Sequence, residues 1–398
     1  MSSLTAEVVI VGGGAAGLTA AIALASAGIE TTLVANATPS DLRTSALLQG
    51  SINALETLGV WRFCQDRAAP LRVMRIIDDT KRLLRAREVS FAASEIGLDA
   101  FGYNIENRFL IAALEARTGQ LPALARINDQ AVTVEITDDR VTVRCSGGAA
   151  VSGRLSIGAE GRHSLCRSAA GIELRGRTYP QTALTCSFAH RRLHRDTSTE
   201  FHTESGPFTL VPLPQRRSSL VWVADPADID RLSTLADADM ALEIERRSHS
   251  ILGAIDVEPG RAAFPLAVAT ATRFGARRVV LVGEAAHVLA PIGAQGLNLG
   301  LRDAATIGEL VVAAHRDGDD VGDLTDRYDQ MRRADATSRM LTVDLLNRSL
   351  LSDFLPLQGA RAAALFLMER VGLLRQAIMR EGVTPLASQP RLMRGEAL

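Results

Sequence analysis

The residues that decide the fold read Glu7-Val-Val-Ile-Val-Gly-Gly-Gly-Ala-Ala-Gly-Leu-Thr-Ala-Ala-Ile-Ala-Leu-Ala25. The apolar run Val8–Val11 predicts a buried parallel strand, and the alanine-rich stretch after the glycines predicts a helix. Gly12, Gly14 and Gly17 fit the pattern Gly-x-Gly-x-x-Gly, which permits a tight turn, a close approach to a pyrophosphate and close helix packing, in that order. The stretch predicts a dinucleotide site, and a glycine-rich turn in an ordinary βαβ unit is the alternative.

A second nucleotide signal lies far from the first and reads Arg278-Val-Val-Leu-Val-Gly-Glu-Ala-Ala-His-Val-Leu-Ala-Pro-Ile-Gly-Ala-Gln-Gly-Leu-Asn-Leu-Gly-Leu-Arg-Asp303. The run Val279–Val282 predicts a buried strand, and the glycine-rich loop after it leads to a helix that we expect to begin near Leu297. A helix N-terminus attracts anionic groups because its first backbone N–H groups are free. Two distant segments are therefore expected to meet at one site.

Composition narrows the class of protein. The 398 residues exceed the size of one ordinary core, so two closely packed domains are expected. The formal net charge of −1 gives no reason to expect nucleic-acid binding. The four cysteines are scattered singly, which indicates free thiols and no metal site. No signal peptide and no membrane-spanning run is visible, so a cytoplasmic protein is predicted.

Hydrophobic periodicity divides the rest of the chain into interleaved parts. Residues 71–100 and 180–260 contain alternating apolar and polar residues, which is typical of a second sheet. Residues 324–350 and the apolar, arginine-rich tail Phe354–Met379 are predicted to be helical. Because sheet and helix segments alternate along the chain, the domains are expected to be discontinuous.

The C-terminal tail admits two interpretations. One is a helix packed on the nucleotide-binding domain or on the partner in a homodimer. The other is a basic amphipathic surface for a lipid-handling protein or for a peripheral contact with the inner face of the membrane.

Three motifs follow one another: Gly12-x-Gly-x-x-Gly17, Gly158-Ala-Glu-Gly-Arg-His-Ser164 and Gly283-Glu-Ala-Ala-His287. In this order they resemble the single-component FAD-dependent aromatic monooxygenases of the para-hydroxybenzoate hydroxylase type, from residue 6 to about 345. Within that group the chain is most similar to the ubiquinone-biosynthesis hydroxylases, on the strength of residues 295–303 and the substrate-sheet segment 200–222.

The resemblance implies an α/β fold: a Rossmann-like FAD-binding domain of the glutathione-reductase type, an interleaved β-sheet substrate domain and a C-terminal helical tail. The FAD-binding domain is expected to comprise residues 1–70, 101–175 and 262–345. Residues 71–100 and 176–261 would form the substrate domain, and residues 346–398 the tail.

The resemblance also implies which residues contact the cofactor. The expected cofactor-binding residues are Gly12, Gly14, Ala15, Ala16, Gly17, Asn36, Arg43, Arg108, Glu160, Gly161, Gly283, Glu284, Pro291, Gly296, Leu297 and Asn298. The loop expected near the flavin contains Pro291, Gly293, Gln295 and Gly296. The two arginines would lie along the pyrophosphate and ribityl chain, whereas His287 is expected to have a structural role.

The chain departs from the family pattern at three acidic positions. Ala35 occupies the place of the ribose-binding acid, with Asn36 next to it, and Glu160 and Glu284 stand where aspartate is usual. Losing one carboxylate contact weakens binding by about 1–3 kcal/mol. We therefore expect FAD to bind more loosely than is usual in the family.

The implied function is hydroxylation of the aromatic ring of a polyprenylated phenol in ubiquinone biosynthesis. FAD would be the cofactor and NAD(P)H a transient co-substrate, with dioxygen reacting through a flavin hydroperoxide. No catalytic side chain is expected, because the cofactor carries the chemistry. The alternatives are a catalytically weakened scaffold protein of a quinone-biosynthesis complex and another flavin oxidoreductase on the same fold.

Overall fold

The computed structural model describes residues 3–37, 40–80, 88–291, 293–351, 372–383 and 389–398. The strands are β1 (Ser3–Thr5), β2 (Val8–Val11), β3 (Thr31–Val34), β4 (Thr44–Leu48), β5 (Ala68–Pro70), β6 (Val73–Asp78), β7 (Val89–Ala92), β8 (Gly102–Glu106), β9 (Leu124–Ile127), β10 (Ala131–Ile136), β11 (Val141–Cys145), β12 (Ala150–Gly153), β13 (Leu155–Gly158), β14 (Leu174–His190), β15 (Thr197–His202), β16 (Pro207–Leu213), β17 (Arg217–Ala224), β18 (Ile255–Val257), β19 (Ala262–Ala271), β20 (Gly275–Ala276), β21 (Val279–Leu281) and β22 (His287–Val288).

Helices connect these strands and pack on their faces. They are α1 (Ala15–Ser26), α2 (Gln49–Thr57), α3 (Asn107–Thr118), α4 (Leu165–Ala169), α5 (Pro226–Thr234), α6 (Asp237–Arg247), α7 (Gln295–Asp317), α8 (Thr325–Leu351) and α9 (Gly372–Val383). Short 3-10 helices occur at Trp61–Phe63, Gln65–Arg67, Ala93–Ile96, Gly283–Ala285, Val321–Leu324 and Arg391–Arg394. The predicted strand Val8–Val11 and the helix after the glycines are confirmed as β2 and α1, and β3 follows them.

The central sheet has the strand order β20-β21-β13-β2-β3-β9, and its strands are parallel except for β20. Every residue of β2, β3 and β13 is buried, which explains their continuous runs without alternation. Helices α1, α3 and α7 pack together beside this sheet. Because β2, β13 and β21 are adjacent and parallel, the three motifs that follow them emerge at one edge.

The large sheet has the order β22-β19-β14-β17-β16-β15-β6-β7, and β18 pairs with β14. Helices α5 and α6 cover one of its faces, where Ile229 and Met240 join a buried cluster with Phe208 and Trp222. Strand Ala262–Ala271 also belongs to this sheet through its pairing with β14. The domain limits drawn from the sequence stay a prediction.

A small sheet, β4-β8-β5, joins the two larger ones. Asn104 on β8 donates a hydrogen bond through Nδ2 to the backbone oxygen of Pro212 at 2.9 Å. Thr44 on β4 donates to the Ser219 hydroxyl at 2.9 Å. Polar bonds therefore attach the large sheet to the nucleotide-binding part of the chain.

The end of the chain returns to the core. Arg375 on α9 forms an ion pair with Glu95 at 2.6 Å. Leu392 and Met393 are buried, and Asn53 on α2 donates to the backbone oxygen of Met393 at 3.1 Å.

Most of the tail predicted to be helical lies outside the described residues, which resume at residue 372. In the described part of the chain, no helix combines the length and the hydropathy needed to cross a bilayer.

Candidate functional site

The first glycine motif forms the turn between β2 and α1. Gly12 has φ +111°, a conformation that side-chain-bearing residues rarely adopt. A Cβ at Gly17 would lie 2.1 Å from the backbone oxygen of Gly12, so the helix crosses the strand at a distance that only glycine allows. At Gly14, by contrast, a Cβ would have no described heavy atom within 4 Å beyond its chain neighbours. The space above Gly14 is where a dinucleotide pyrophosphate is expected.

The middle motif lies directly against the first. A Cβ at Gly12 would come within 2.5 Å of the carbonyl carbon of Ala159, so the two turns touch. Glu160 points back into its own segment, where Oε1 accepts hydrogen bonds from the Ser164 hydroxyl at 2.9 Å and from the Cys166 backbone N–H at 2.7 Å. Its Oε2 is buried, and none of the described residues bonds to it.

The position of Glu160 bears on its predicted role. The carboxylate holds the start of helix α4 in this structure. Any contact between Glu160 and a cofactor stays a prediction.

The third motif packs against the first motif. Gly283 follows β21 with φ +60°, and a Cβ there would lie 3.2 Å from the Ala16 methyl carbon. A Cβ at Gly300 of α7 would lie 3.1 Å from the Gly283 Cα. The structure therefore brings the first and third motifs, separated by more than 250 residues in sequence, into van der Waals contact.

Glu284 is more than half exposed and accepts a hydrogen bond from Nε of Arg162 at 3.2 Å. This pair joins the middle motif to the third. An exposed pair of this kind contributes little to stability and remains free to exchange partners.

The predicted flavin-facing loop ends in helix α7. The helix begins at Gln295, two residues before the predicted start, and Ala294 before it has a left-handed φ of 54°. Cβ atoms at Gly293 and Gly296 would meet no described heavy atom within 4 Å beyond their neighbours. Pro291 is half-buried at the entry to this loop. The first turn of α7 thus directs free N–H groups toward open space, as an anion-binding helix end requires.

The side chain of Asn298 has a structural role that the sequence did not indicate. Its Oδ1 accepts from the Leu48 backbone N–H at 2.8 Å and from the Ser51 hydroxyl at 2.7 Å. Its Nδ2 donates to the backbone oxygens of Ala46 at 2.8 Å and Ala294 at 2.6 Å. Asn298 therefore joins the start of α7 to β4 and α2, and only its backbone is left for the cofactor.

The two predicted arginines lie at the seam between the sheets. Arg43 is half exposed and forms a bidentate pair with Asp41, with Nε and NH2 at 2.9 and 2.8 Å from the carboxylate oxygens. Burial raises the pKa of Asp41, but the bonds from Arg43 and Asn107 lower it overall. Arg108 donates to the buried carboxylate of Glu106 at 2.8 Å.

Neighbouring residues at the end of β3 differ in exposure. Asn36 is exposed, whereas Ala35 is buried. A longer acidic side chain at the buried position would have to reach out of the core, so Asn36 is the better placed of the two to meet a ribose.

His287 is almost fully buried and forms a short contact with Asp303, consistent with the structural role expected for it. Asp303 and its ionic partner Arg332 were not recognised as part of the site. Arg332 lies on α8, which carries no nucleotide motif, so sequence gives no signal for that pair.

An apolar surface of the large sheet faces the third motif. Ala183, Val223 and Leu266 are buried together with Ala290, which immediately precedes the flavin-facing loop. Tyr179, Val221, Phe264 and Leu289 border this cluster and are partly exposed. The arrangement puts an apolar wall beside the loop at which a planar cofactor is expected.

Comparison with known proteins agrees with this geometry. The model of the FAD binding domain family matches residues 5–342. The chain is 35% identical to the ubiquinone hydroxylase UbiL of Rhodospirillum rubrum over 99% of this chain and 94% of that protein. It is 31% identical to the 3-demethoxyubiquinol 3-hydroxylase of Escherichia coli over 95% and 98% of the two chains.

Solved structures confirm the fold. The p-nitrophenol 4-monooxygenase PnpA of Pseudomonas putida superposes with a TM-score of 0.78 at 20% identity, covering 97% of this chain and 100% of that chain. HpxO of Klebsiella pneumoniae, complexed with FAD and uric acid, has a TM-score of 0.73 at 19% identity and covers 96% and 97%. The predicted fold class and FAD as the cofactor are confirmed. The chain therefore belongs to this family of FAD-dependent aromatic monooxygenases, together with the ubiquinone-biosynthesis hydroxylases that its motifs resemble.

Proposed function

We propose that this protein hydroxylates the aromatic ring of a hydrophobic, polyprenylated quinone precursor in ubiquinone biosynthesis. The observation that carries the proposal is the convergence of the three motifs at one edge of the central sheet, beside an apolar wall of the large sheet. The names of relatives that match over nearly the whole chain support the substrate class. NAD(P)H is the co-substrate typical of the family.

Residues in the turns and helices that follow the strands are suited to hold FAD. The open space at Gly14 suits the pyrophosphate, and the free N–H groups of Gly296 and Leu297 suit an electron-rich ring edge. Arg43 and Arg108 are the cations proposed to lie along the pyrophosphate and ribityl chain, and Arg43 interacts electrostatically with Glu284 of the third motif. These assignments are our proposals for the binding roles of the predicted residues.

The chemistry divides between cofactor and protein. Bound FAD supplies hydride acceptance and the activation of dioxygen. The start of α7 stabilises negative charge that develops at the cofactor, because its free N–H groups are preorganised and need no rearrangement. The partly exposed residues that border this wall, such as Val221 and Phe264, orient an apolar ring and exclude water from the reacting atoms.

Oxygen incorporation tests this function. The purified full-length protein should show a flavin absorption spectrum and should oxidise NAD(P)H faster when a prenylated phenol is added. The product should carry one additional oxygen derived from labelled dioxygen. A flavin that is reduced without oxygen transfer would favour another flavin oxidoreductase, and a protein that binds no flavin would favour the scaffold.

The ring position is decided by a second measurement. Cells lacking this protein should accumulate a quinone intermediate that lacks one hydroxyl group. Its mass and fragmentation identify the carbon on which the enzyme acts. Accumulation of a fully hydroxylated intermediate would contradict the proposal.

We also propose a peripheral contact between the C-terminal tail and the inner face of the membrane. The arginines at positions 361 and 370, within an apolar sequence, support it, and both lie outside the described residues. Truncation would be a poor test because Leu392 and Met393 are buried beside α2. Arg361→Glu with Arg370→Glu should instead abolish cosedimentation with anionic liposomes, and undiminished binding would contradict the proposal. Light scattering of the lipid-free protein gives its molar mass and tests the homodimer.

A further inference from the structure

A chain of ionised side chains connects Gly283 of the third motif to helix α8; Asp303 and Arg332 in it are buried, and Asp335 and Arg339 are partly exposed. Asp303 on α7 is fully buried, and its Oδ2 accepts a hydrogen bond from the backbone N–H of Gly283 at 3.0 Å. Its Oδ1 accepts from Nε of Arg332 on α8 at 2.7 Å. NH1 of Arg332 in turn donates to Oδ2 of Asp335 at 2.6 Å. The turn at Gly283 is thus bonded to Arg332 of α8 through the carboxylate of Asp303, and Arg332 is bonded in turn to Asp335 on the same helix.

The same chain continues to the other end of the segment. Asp335 accepts through Oδ1 from Nε of Arg339 at 3.0 Å. NH1 of Arg339 donates to the Gln295 side-chain oxygen at 3.0 Å, and Gln295 donates through Nε2 to the backbone oxygen of Gly293 at 3.0 Å. One network therefore holds both Gly283 and Gly293.

Two properties of the network distinguish it from an ordinary surface ion pair. Arg332 has 4% of its side chain exposed and Arg339 has 14%, so water competes weakly for their hydrogen bonds. The backbone that the network ends on is strained, because Ala294 has a left-handed φ of 54°. Such a conformation in a residue with a side chain persists only where its surroundings hold it.

The charges of the network do not cancel. Arg302, Arg332 and Arg339 face Asp303 and Asp335, which leaves one positive charge in excess among these residues. Burial, followed by the charge of Arg339, lowers the pKa of Arg302 to about 10, and this cation remains protonated at neutral pH. One of these cations, Arg339, donates to the side chain of Gln295 in the first turn of α7.

We propose that Arg339 is a positioning residue for the flavin site, which sets the conformation of Gly293–Gly296 through Gln295. It does so from helix α8, outside all three nucleotide motifs. The inference rests on the proposed function, because it requires FAD to face this loop. The excess positive charge additionally favours the reduced, anionic form of a cofactor placed there.

The test compares substitutions that remove the hydrogen bond from Arg339 to Gln295. Arg339→Gln should weaken FAD binding to the full-length apoprotein about tenfold, the effect of losing one charge-assisted hydrogen bond. It should also shift the absorption maxima of bound flavin and lower its midpoint potential. Arg339→Lys keeps the charge and should restore the potential more fully than the affinity. The control is Arg327→Gln, which removes an exposed arginine from the same helix and should leave all three quantities unchanged.

A double-mutant cycle separates the contribution of the Arg339–Gln295 hydrogen bond from effects of each substitution on the stability of the fold. Gln295→Ala removes the acceptor of Arg339, so in the double variant Arg339→Gln should add little further loss of FAD affinity. Additive losses, or wild-type affinity and spectrum in Arg339→Gln, would overturn the proposal. If Arg339→Gln fails to fold, Arg339→Lys and Gln295→Ala complete the comparison. Because FAD titration needs no substrate, an enzyme that binds FAD without hydroxylating the precursor contradicts the proposed function alone.

Discussion

Nε2 of His287 lies 2.6 Å from Oδ2 of Asp303, and both side chains are at most 1% exposed. The contact joins the last residue of the third motif to the helix that follows the loop. Burial raises the pKa of Asp303, but the charges and hydrogen bonds of His287 and Arg332 outweigh it and lower that pKa. Asp303 is therefore an anion held at the back of the flavin-facing segment.

Removing that anion should destabilise the protein strongly. Asp303→Asn leaves Arg332 buried beside a neutral partner, and breaking a buried ion pair in this way costs about 3–5 kcal/mol. Urea unfolding of the variant measures the loss. Asp317→Asn at the exposed end of the same helix is the control and should change stability by less than about 0.5 kcal/mol. An Asp303 variant as stable as the control would contradict the role assigned to this carboxylate.

Alanine substitutions at two glycines of the first motif should have different effects, one on stability and one on FAD binding. Gly17→Ala forces a methyl group to 2.1 Å from the Gly12 oxygen and should destabilise the fold by about 1–3 kcal/mol. Gly14→Ala adds its methyl group to open space and should leave thermal unfolding of the apoprotein near that of the wild type. FAD titration should nevertheless show weaker binding to the Gly14 variant. Unchanged FAD affinity there would place the pyrophosphate elsewhere.

Replacing the amide donor of Asn298 with a hydrogen-bond acceptor should destabilise the protein. Asn298→Asp replaces the donor that faces the carbonyls of Ala46 and Ala294 with an acceptor. The unfolding free energy should fall by about 1–3 kcal/mol for the unsatisfied groups. Asn36→Asp, at an exposed asparagine, is the matched control in the same urea titration. Equal stability of the two variants would show that the amide bonds at α7 are dispensable.

The pH dependence of stability should report on His190. Burial lowers the pKa of this histidine, whose ring nitrogens bond the Arg192 backbone oxygen at 2.7 Å and the Ser218 hydroxyl at 3.0 Å. The unfolded chain then binds the proton more readily than the folded one, so stability is complete above the ordinary pKa of 6.5 and falls as the pH drops below it. His190→Gln should remove this component between pH 7 and about pH 5 in urea unfolding. If the unfolding free energies of variant and wild type change with pH in the same way, His190 does not contribute to the pH dependence.

Local pattern was sufficient to predict the elements that recognise a nucleotide. The run Val8–Val11, three glycines and an alanine-rich helix define a strand, turn and helix whose conformations depend on neighbouring residues. The start of α7 was predicted to within two residues for the same reason. The binding roles of the individual residues stay predictions.

The hydrogen-bond partners of individual side chains could not be predicted from the sequence. Asn298 was expected to contribute to the cofactor site, yet its amide is occupied by three separate segments of the chain. Glu160 was expected to meet the cofactor, and its Oε1 holds the start of α4. These bonds depend on which strands and helices become neighbours, and residue spacing carries no such information.

The sequence by itself determined the family, the α/β class, the FAD cofactor and the three segments that meet at one edge of the central sheet, because glycine patterns encode local backbone geometry. The tertiary structure alone decided that Asp303, Arg332, Asp335 and Arg339 form one network behind the loop. Ion pairs between helices form when α7 and α8 pack against each other, and this packing is set by the burial of apolar faces across the whole core.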